Sequence, residues 1–200
     1  MLRLHYAPRT ISVAVAIALE EAAVPYEAIR VDFATGEQTT PEYRRINPKG
    51  RVPALETPQG ILTETAAILE YATPQLVPAD AFAAAKMREL MCFLNGTMHP
   101  HHAHALRGSR WADQESSFAD MKQKVPQRMA ECAAYLEEFL PSLPFAVGKL
   151  EVLSDAYLYV VLSWLPADRV DISRYSRLAA FQHDMNTRAS VQAVYQKGML

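Results

Sequence analysis

The chain has 200 residues, half of them hydrophobic, which is enough for the core of one large domain or the cores of two small ones. Its formal net charge of −2 argues against a nucleic-acid-binding protein, which would carry a basic stripe. The apolar run between residues 11 and 19 is too short to cross a membrane and is followed by Glu20 and Glu21, so we expect a cytoplasmic protein.

Residues 1–75 alternate between strand and helix patterns. Leu2, Leu4 and Tyr6 alternate with polar residues and predict a strand with one buried face. The segments that follow predict a helix at 12–23, a strand at 26–32, a short helix at 41–46, strands at 51–56 and 61–62, and a helix at 65–71. This order predicts a mixed four-stranded sheet with helices on its faces, an α/β domain of the thioredoxin-like kind.

A proline-containing segment, ATPQLVPAD, ends this pattern and is typical of a linker. Beyond it only helical periodicity is found, at 80–97, 116–140, 154–164, 178–186 and 190–197. We therefore predict two domains, an α/β domain at 1–75 and an all-helical bundle at 80–200. Cys92 and Cys132 lie in predicted helices without metal-ligand spacing and are expected to be buried structural thiols.

Pro53 lies inside the stretch NPKGRVPALE, which is otherwise a good strand. A proline cannot donate to a sheet ladder, so it belongs at an edge or a bulge. An ordinary trans proline on an edge strand is one interpretation. The other is a cis Val52–Pro53 bond that leaves the N–H and C=O of Val52 free to pair with a bound peptide, as in strand addition.

A wider comparison of motifs favours the second interpretation. NPKGRVPALETPQGILTETAAILEYA resembles the central motif of the cytosolic glutathione S-transferases, and LSDAYLYVVLSW resembles a late helix of their bacterial beta class. The likeness spans nearly the whole chain in the same domain order. It implies a cis Pro53, a homodimer, and glutathione as a cosubstrate with no further cofactor.

Glutathione offers three groups for recognition, and the sequence supplies candidates for each. The backbone of Val52, exposed by Pro53, matches the cysteinyl segment. Glu64 is expected to pair with the α-ammonium, and Thr65, at a helix start, to hold the neighbouring carboxylate; simple capping of that helix is the alternative. Lys49 and Arg51 are candidates for the glycine carboxylate, with plain surface solvation as the alternative.

The thiol needs a donor that stabilises its thiolate. Many beta-class enzymes carry a cysteine where this chain has Ile11, which cannot donate a hydrogen bond. Ser12 is the first candidate for the donor, with N-capping as its alternative role, and Thr10 is the second. Tyr6 is the third, although it is more easily understood as a wall of the site.

The histidine-rich run MHPHHAHALR is expected to line the cleft between the two domains. His99, His101, Trp111 and Tyr157 are the candidates for a second-substrate pocket that accepts a small hydrophobic electrophile. His101 and His104 are one helical turn apart, but no cysteine or carboxylate lies at partner spacing, so we expect no metal site.

Three classes of function follow. The first is a transferase that attacks an electrophile with the thiolate of glutathione. The second is a glutathione or hydrophobic-ligand binder with little catalysis, which Ile11 makes conceivable. The third is an interaction protein that has the fold without the site, and the retained Val52, Pro53, Glu64 and Thr65 argue against it. A thiol oxidoreductase is disfavoured because no cysteine begins the first helix.

Overall fold

The computed structural model describes residues 1–149 and 151–200. Its sheet has four strands in the order β2-β1-β3-β4, with β1 parallel to β2 and antiparallel to β3, and β3 antiparallel to β4. The strands are β1 (Leu2–Tyr6), β2 (Tyr26–Arg30), β3 (Ala54–Thr57) and β4 (Gly60–Thr63). The predicted fold class, a thioredoxin-like α/β unit followed by a helical region, is confirmed.

Within residues 1–149 and 151–200, three helices accompany the sheet and the later part of the chain adds six more. They are α1 (Ser12–Glu21), α2 (Pro41–Ile46), α3 (Thr65–Ala72), α4 (Ala81–Phe93), α5 (His99–Ala103), α6 (Glu115–Phe139), α7 (Leu153–Leu162), α8 (Ser176–Asn186) and α9 (Ala189–Gln196). The domain boundary between residues 75 and 80 stays a prediction. No helix formed by residues 1–149 or 151–200 has the length and apolarity needed to cross a membrane.

Helix α1 lies at the centre of the molecule. Every side chain from Ser12 to Leu19 is fully buried, and the helix contacts β1 and α3 as well as α7 and α9. A helix that is apolar all round is one that is covered on all sides. The start of α1 is therefore fixed by both parts of the chain at once.

Strand β3 begins at Ala54, three residues later than the sequence predicted. Pro53 has no N–H to donate, and the carbonyl of Arg51 is engaged elsewhere, by side chains of the preceding helix and turn. Gly50 reverses the chain before this point with a φ of 62°. A Cβ at position 50 would lie 2.9 Å from the carbonyl oxygen of Gln38, so only glycine fits.

The helix predicted at 80–97 is regular only to Phe93. From Leu94 to Met98 it widens into a π-helix, and α5 follows. Pro100 explains the widening, because its ring would clash with the carbonyl four residues earlier in a regular α-helix. The prediction that both cysteines are buried is wrong for Cys92, which is exposed on α4, and correct for Cys132.

An ion-pair network ties β1 to both neighbouring strands. The carboxylate of Glu56 on β3 lies 2.6 Å from Nε2 of the buried His5 and accepts a 2.9 Å hydrogen bond from Arg3. Arg3 also donates to Glu27 on β2 at 3.0 Å. The hydrogen bond from His5, assisted by the charge of Arg3, holds the pKa of Glu56 below its ordinary value.

We expect Glu56→Gln to lower the free energy of unfolding by about 1 kcal/mol at pH 7, since a charge-assisted hydrogen bond is lost. Because the folded pKa of Glu56 is depressed, its contribution is present above the unfolded pKa of about 4.3 and is lost as the pH falls through the folded value. Urea unfolding from pH 7 to pH 3 should therefore show the variant and the parent converging under acid. Glu27→Gln, at the exposed end of the network, is the control and should change less. Parallel stability curves for the parent and Glu56→Gln would contradict the assignment.

Candidate functional site

The turn that precedes Pro53 presents the backbone of Val52. The carbonyl oxygen of Arg51 accepts a 2.8 Å hydrogen bond from the Tyr43 hydroxyl and a 2.6 Å hydrogen bond from the Asn47 side-chain amide. The Val52–Pro53 bond is cis, as the sequence predicted. Among residues 1–149 and 151–200, nothing hydrogen-bonds to the N–H or C=O of Val52. A backbone donor and acceptor are thus left free directly before β3.

Glu64 sits immediately before α3 in an unusual conformation. Its φ is 73°, in the left-handed region that non-glycine residues rarely occupy, and a conformation of this kind costs on the order of 1–3 kcal/mol. The carboxylate projects into solvent, where it is paired with the ammonium of Lys49. Lys49 also donates to the Thr63 hydroxyl at 2.7 Å. Glu64 is therefore already a site for a primary ammonium ion.

Thr65 is the first residue of α3 and is largely buried. In the part of the chain that the structure describes, its hydroxyl makes no hydrogen bond. The first amide groups of the helix lie beside it without intrahelical partners. An anion-binding helix end next to a cation-binding carboxylate suits an α-amino acid zwitterion, which carries both charges on one carbon.

The loop between β1 and α1 is held at Arg9 by two contacts with the C-terminal part of the chain. The N–H of Arg9 donates to the carbonyl of Met199 at 2.8 Å. The carbonyl of Arg9 accepts from the indole N–H of Trp164 at 3.1 Å. Arg9 has a φ of 58°, so the loop turns sharply at the residue that both contacts fix.

Two hydroxyl groups lie directly after this turn, and their exposure differs. Ser12 is fully buried, and its Oγ accepts from the N–H of Ala7 at 3.1 Å and lies 2.6 Å from Thr10 Oγ1. Thr10 is only partly buried. The structure therefore does not favour Ser12 as the first candidate for the sulfur donor, because a fully buried hydroxyl cannot contact a bound peptide. Thr10 becomes the better candidate.

The Thr10 hydroxyl can donate a hydrogen bond to a ligand without leaving a buried polar group beside it unpaired. The carbonyl of Ala7 lies 2.8 Å from Thr10 Oγ1 and 3.2 Å from Ser12 Oγ. If the Thr10 hydroxyl donates to a ligand, the Ser12 hydroxyl can satisfy either the Ala7 carbonyl or Thr10 Oγ1. The arrangement is a buried hydroxyl supporting a more exposed one.

Tyr6 and Ile11 complete the wall behind the loop. Tyr6 is almost entirely enclosed in the core, which does not favour it as the sulfur donor. Ile11 is also buried, and it occupies the N-cap position of α1 without a side-chain cap. The apolar side chain at this position contributes to packing and provides no polar group to the site.

The four residues predicted for a second-substrate pocket lie in different places. Tyr157 is fully buried, with its hydroxyl 3.2 Å from Asn95 Oδ1, which does not favour it as the wall of a pocket. Burial raises the pKa of Tyr157, and the charge of Glu64 raises it further. The Tyr157 hydroxyl is thus influenced by the charge of Glu64, although it is buried in the core.

His99 and His101 face different surroundings, as residues two apart on a helix must. His99 contacts the ring of Trp164 at 4.9 Å. Burial lowers the pKa of His99 to about 4, with smaller contributions from His102 and from the charges of Arg110 and Arg51, so it is neutral at pH 7. The pKa of His101 is lowered by burial and by the charges of His104 and of Arg128, and Arg128 lies on α6, which α5 contacts.

Trp111 is half-exposed and packs its ring edge-to-face against His104 at 4.5 Å, so it can still serve as a wall of a pocket. Among residues 1–149 and 151–200, no group of three His, Cys, Asp or Glu side chains is placed to hold a metal ion.

Sequence reasoning missed a partly buried pair formed by a member of the histidine run. His102 Nδ1 lies 2.8 Å from the carboxylate of Asp168, and its ring stacks on Trp164 at 4.4 Å. The two residues are 66 apart in sequence, so the pair had no local signal.

Comparison with known proteins gives the family. Residues 3–73 match the model of the glutathione S-transferase N-terminal domain. A glutathione transferase homologue from Sulfitobacter, solved with bound glutathione, is 54% identical, with 100% of this chain and 99% of that chain covered and a TM-score of 0.95. The chain belongs to the glutathione S-transferase family.

More distant relatives extend over the whole chain as well. A glutathione S-transferase of Xanthomonas campestris is 29% identical over 98% of each sequence. A bacterial beta-class glutathione S-transferase of Sphingomonas chungbukensis is 27% identical, with 99% of this chain and 100% of that chain covered and a TM-score of 0.82. Glutathione is the cosubstrate of this family, and its enzymes need no further cofactor.

We expect Ser12→Ala to lower the free energy of unfolding by about 1–3 kcal/mol, because the buried N–H of Ala7 loses its acceptor. Thr10→Val should cost less, since Thr10 is itself only partly buried and the Ser12 hydroxyl can still donate to the Ala7 carbonyl. Urea unfolding monitored by circular dichroism measures both values. A larger loss for Thr10→Val would mean that Thr10, not Ser12, is the structural hydroxyl of the loop.

Proposed function

We propose that this protein is a glutathione transferase that conjugates glutathione to a small electrophile. One observation carries the proposal: the start of α1, the turn before β3 and the start of α3 each present groups suited to one part of glutathione. The likeness to a homologue solved with bound glutathione supports the same ligand for this chain.

The cysteinyl segment of glutathione would pair with the backbone of Val52, which no other group of the described chain engages. The γ-glutamyl ammonium would take the place of Lys49 at the carboxylate of Glu64. The γ-glutamyl carboxylate would accept hydrogen bonds from Thr65 and from the amides at the start of α3. These contacts direct the cysteine side chain towards the loop that holds Thr10.

Activation of the thiol would then fall to Thr10. Its hydroxyl, supported by Ser12, donates to the sulfur and stabilises the thiolate over the thiol. The thiol proton passes to solvent. The thiolate attacks the electrophilic carbon, a carbon–sulfur bond forms, and a leaving group such as halide departs with the bonding electron pair.

A binder without catalysis is the alternative, and one comparison separates the two. A transferase should be retained on immobilised glutathione and should also turn over a generic aryl halide in the presence of glutathione. Retention without turnover would support the binder, and loss of both would refute the proposed site.

We also propose a homodimer, as the family likeness implies. Tyr71 on α3 and Phe82 on α4 are large apolar side chains that remain exposed in the single chain. A two-fold interface would cover them.

Glu64→Gln should weaken glutathione binding roughly ten- to hundredfold, the effect of losing one hydrogen bond to a charged group. Isothermal titration calorimetry of glutathione against the parent and the variant measures the change. Glu42→Gln, which alters an exposed carboxylate on α2, is the matched control and should leave the affinity within about twofold. Unchanged affinity for Glu64→Gln together with a lower melting temperature would make Glu64 a capping residue only.

Thr10→Val should raise the pKa of the thiol in the glutathione complex by about one to two units, because the variant loses the hydrogen bond that stabilises the thiolate. Each unit corresponds to about 1.36 kcal/mol of lost preference for the thiolate. Thiolate absorbance titrated against pH in the binary complex measures the shift. Ser12→Ala should shift it less wherever the variant remains folded. A larger shift for Ser12→Ala would return the role to Ser12, and no shift for either variant would assign it to backbone amides.

A further inference from the structure

The carboxylate of Asp168 is buried and is paired with one histidine. The Asp168 side chain is 1% exposed, and its two oxygens lie 2.8 Å and 3.0 Å from Nδ1 of His102 on α5. Among residues 1–149 and 151–200, no other group hydrogen-bonds to this carboxylate. A carboxylate oxygen only accepts, so Nδ1 is the donor. Because a buried carboxylate without a partner is strongly unfavourable, the contact fixes the tautomer and the orientation of the His102 ring.

The oriented ring of His102 packs flat against Trp164, which follows α7. The two ring centroids are 4.4 Å apart at an interplanar angle of 17°, and the indole is almost fully buried. Trp164 and Asp168 belong to one backbone turn, because the N–H of Asp168 donates to the carbonyl of Trp164 at 3.1 Å. His102 is thus held by two residues of the same turn, with the carboxylate at the edge of its ring and the indole on its face.

The indole N–H of Trp164 connects this cluster to the loop that holds Thr10. It donates to the carbonyl of Arg9 at 3.1 Å. That carbonyl and the N–H of Thr10 belong to one planar peptide group, so fixing the carbonyl fixes the plane from which the Thr10 residue continues. The N–H of Thr10 makes only a long contact, 3.4 Å, with the carbonyl of Ala7. The indole is therefore the firmer of the two attachments of this peptide group.

We propose that Asp168 and His102 are positioning residues for Thr10, and that they act through Trp164 on the peptide group between Arg9 and Thr10. Asp168 orients the imidazole, the imidazole orients the indole, and the indole N–H holds the peptide group that directs the Thr10 hydroxyl. The inference rests on the proposed function, because its consequence is stabilisation of the glutathione thiolate by Thr10. Neither Asp168 nor His102 needs to contact the peptide.

Two substitutions test the first and the last contact of this series. Asp168→Ala frees the imidazole, and Trp164→Phe removes the N–H that reaches Arg9 without changing any charge. Each should raise the pKa of the thiol in the glutathione complex by about 0.5–1 unit, a part of the shift expected for Thr10→Val. The affinity for glutathione, measured by calorimetry, should stay within about twofold of the parent value, because the groups that recognise the peptide are positioned by other contacts.

Two further variants separate the contact from the charge. Asp168→Asn keeps an acceptor for Nδ1 of His102 and should retain most of the parent thiol pKa. Asp171→Ala removes an exposed carboxylate that accepts from the N–H of Ser173; it is the matched control and should leave the thiol pKa unchanged. Equal shifts for Asp168→Asn and Asp168→Ala would mean that the charge of Asp168 acts rather than its contact, which would overturn the proposal. If Asp168→Ala does not fold, as circular dichroism would show, Trp164→Phe and Asp168→Asn decide.

A double-mutant cycle shows whether these contacts act through Thr10. In a Thr10→Val background, Asp168→Ala and Trp164→Phe should shift the thiol pKa no further. Full shifts in that background would overturn the inference, because the residues would then reach the sulfur by another route. If Thr10→Val raises the thiol pKa while the other two variants do not, the inference fails and the proposed role of Thr10 stands. If Thr10→Val leaves the thiol pKa unchanged, the proposed role of Thr10 fails and the positioning role fails with it.

Discussion

The candidate site depends on one carbonyl group, that of Arg51. Tyr43 from α2 and Asn47 from the turn after it both donate to this oxygen, and both donors are buried. The oxygen is therefore unavailable to the sheet, and β3 begins only at Ala54. As a result Val52 is fixed in position while its own backbone groups remain free, which is a demanding combination because unpaired backbone groups are usually mobile or solvated. A short, rigid turn achieves it.

A second constraint comes from α1, whose side chains from Ser12 to Leu19 are all fully buried. The elements that contact it come from both parts of the chain, so the loop before the helix has little freedom. Burial also distinguishes two hydroxyl groups two residues apart in sequence. Ser12 is fully buried and bonds the backbone of Ala7, whereas Thr10 is only partly buried. The same helix therefore provides the core of the molecule and one edge of the site.

Local patterns predicted most of the fold and part of the site. Alternation in β1, Pro41 at the start of α2, and the length of the apolar segments were sufficient for the elements, because each depends on neighbours in sequence. The groups at Val52, Glu64 and Thr65 could be identified from a contiguous motif. Burial was harder to predict: Ser12 and Tyr157 were candidates for the site, yet both are fully buried.

The two hydrogen bonds that hold the backbone of Arg9 affect how the site would come apart on unfolding. Arg9 is held by Met199 and Trp164, whereas Glu64 and Val52 are positioned by residues of the first 75. If the helical part were to separate from the sheet while the sheet stayed folded, the loop with Thr10 would lose its anchors and the peptide-recognition groups would not. In that case the two halves of the site would respond separately. Recognition of the tripeptide and activation of its sulfur could then fail at different temperatures within one molecule.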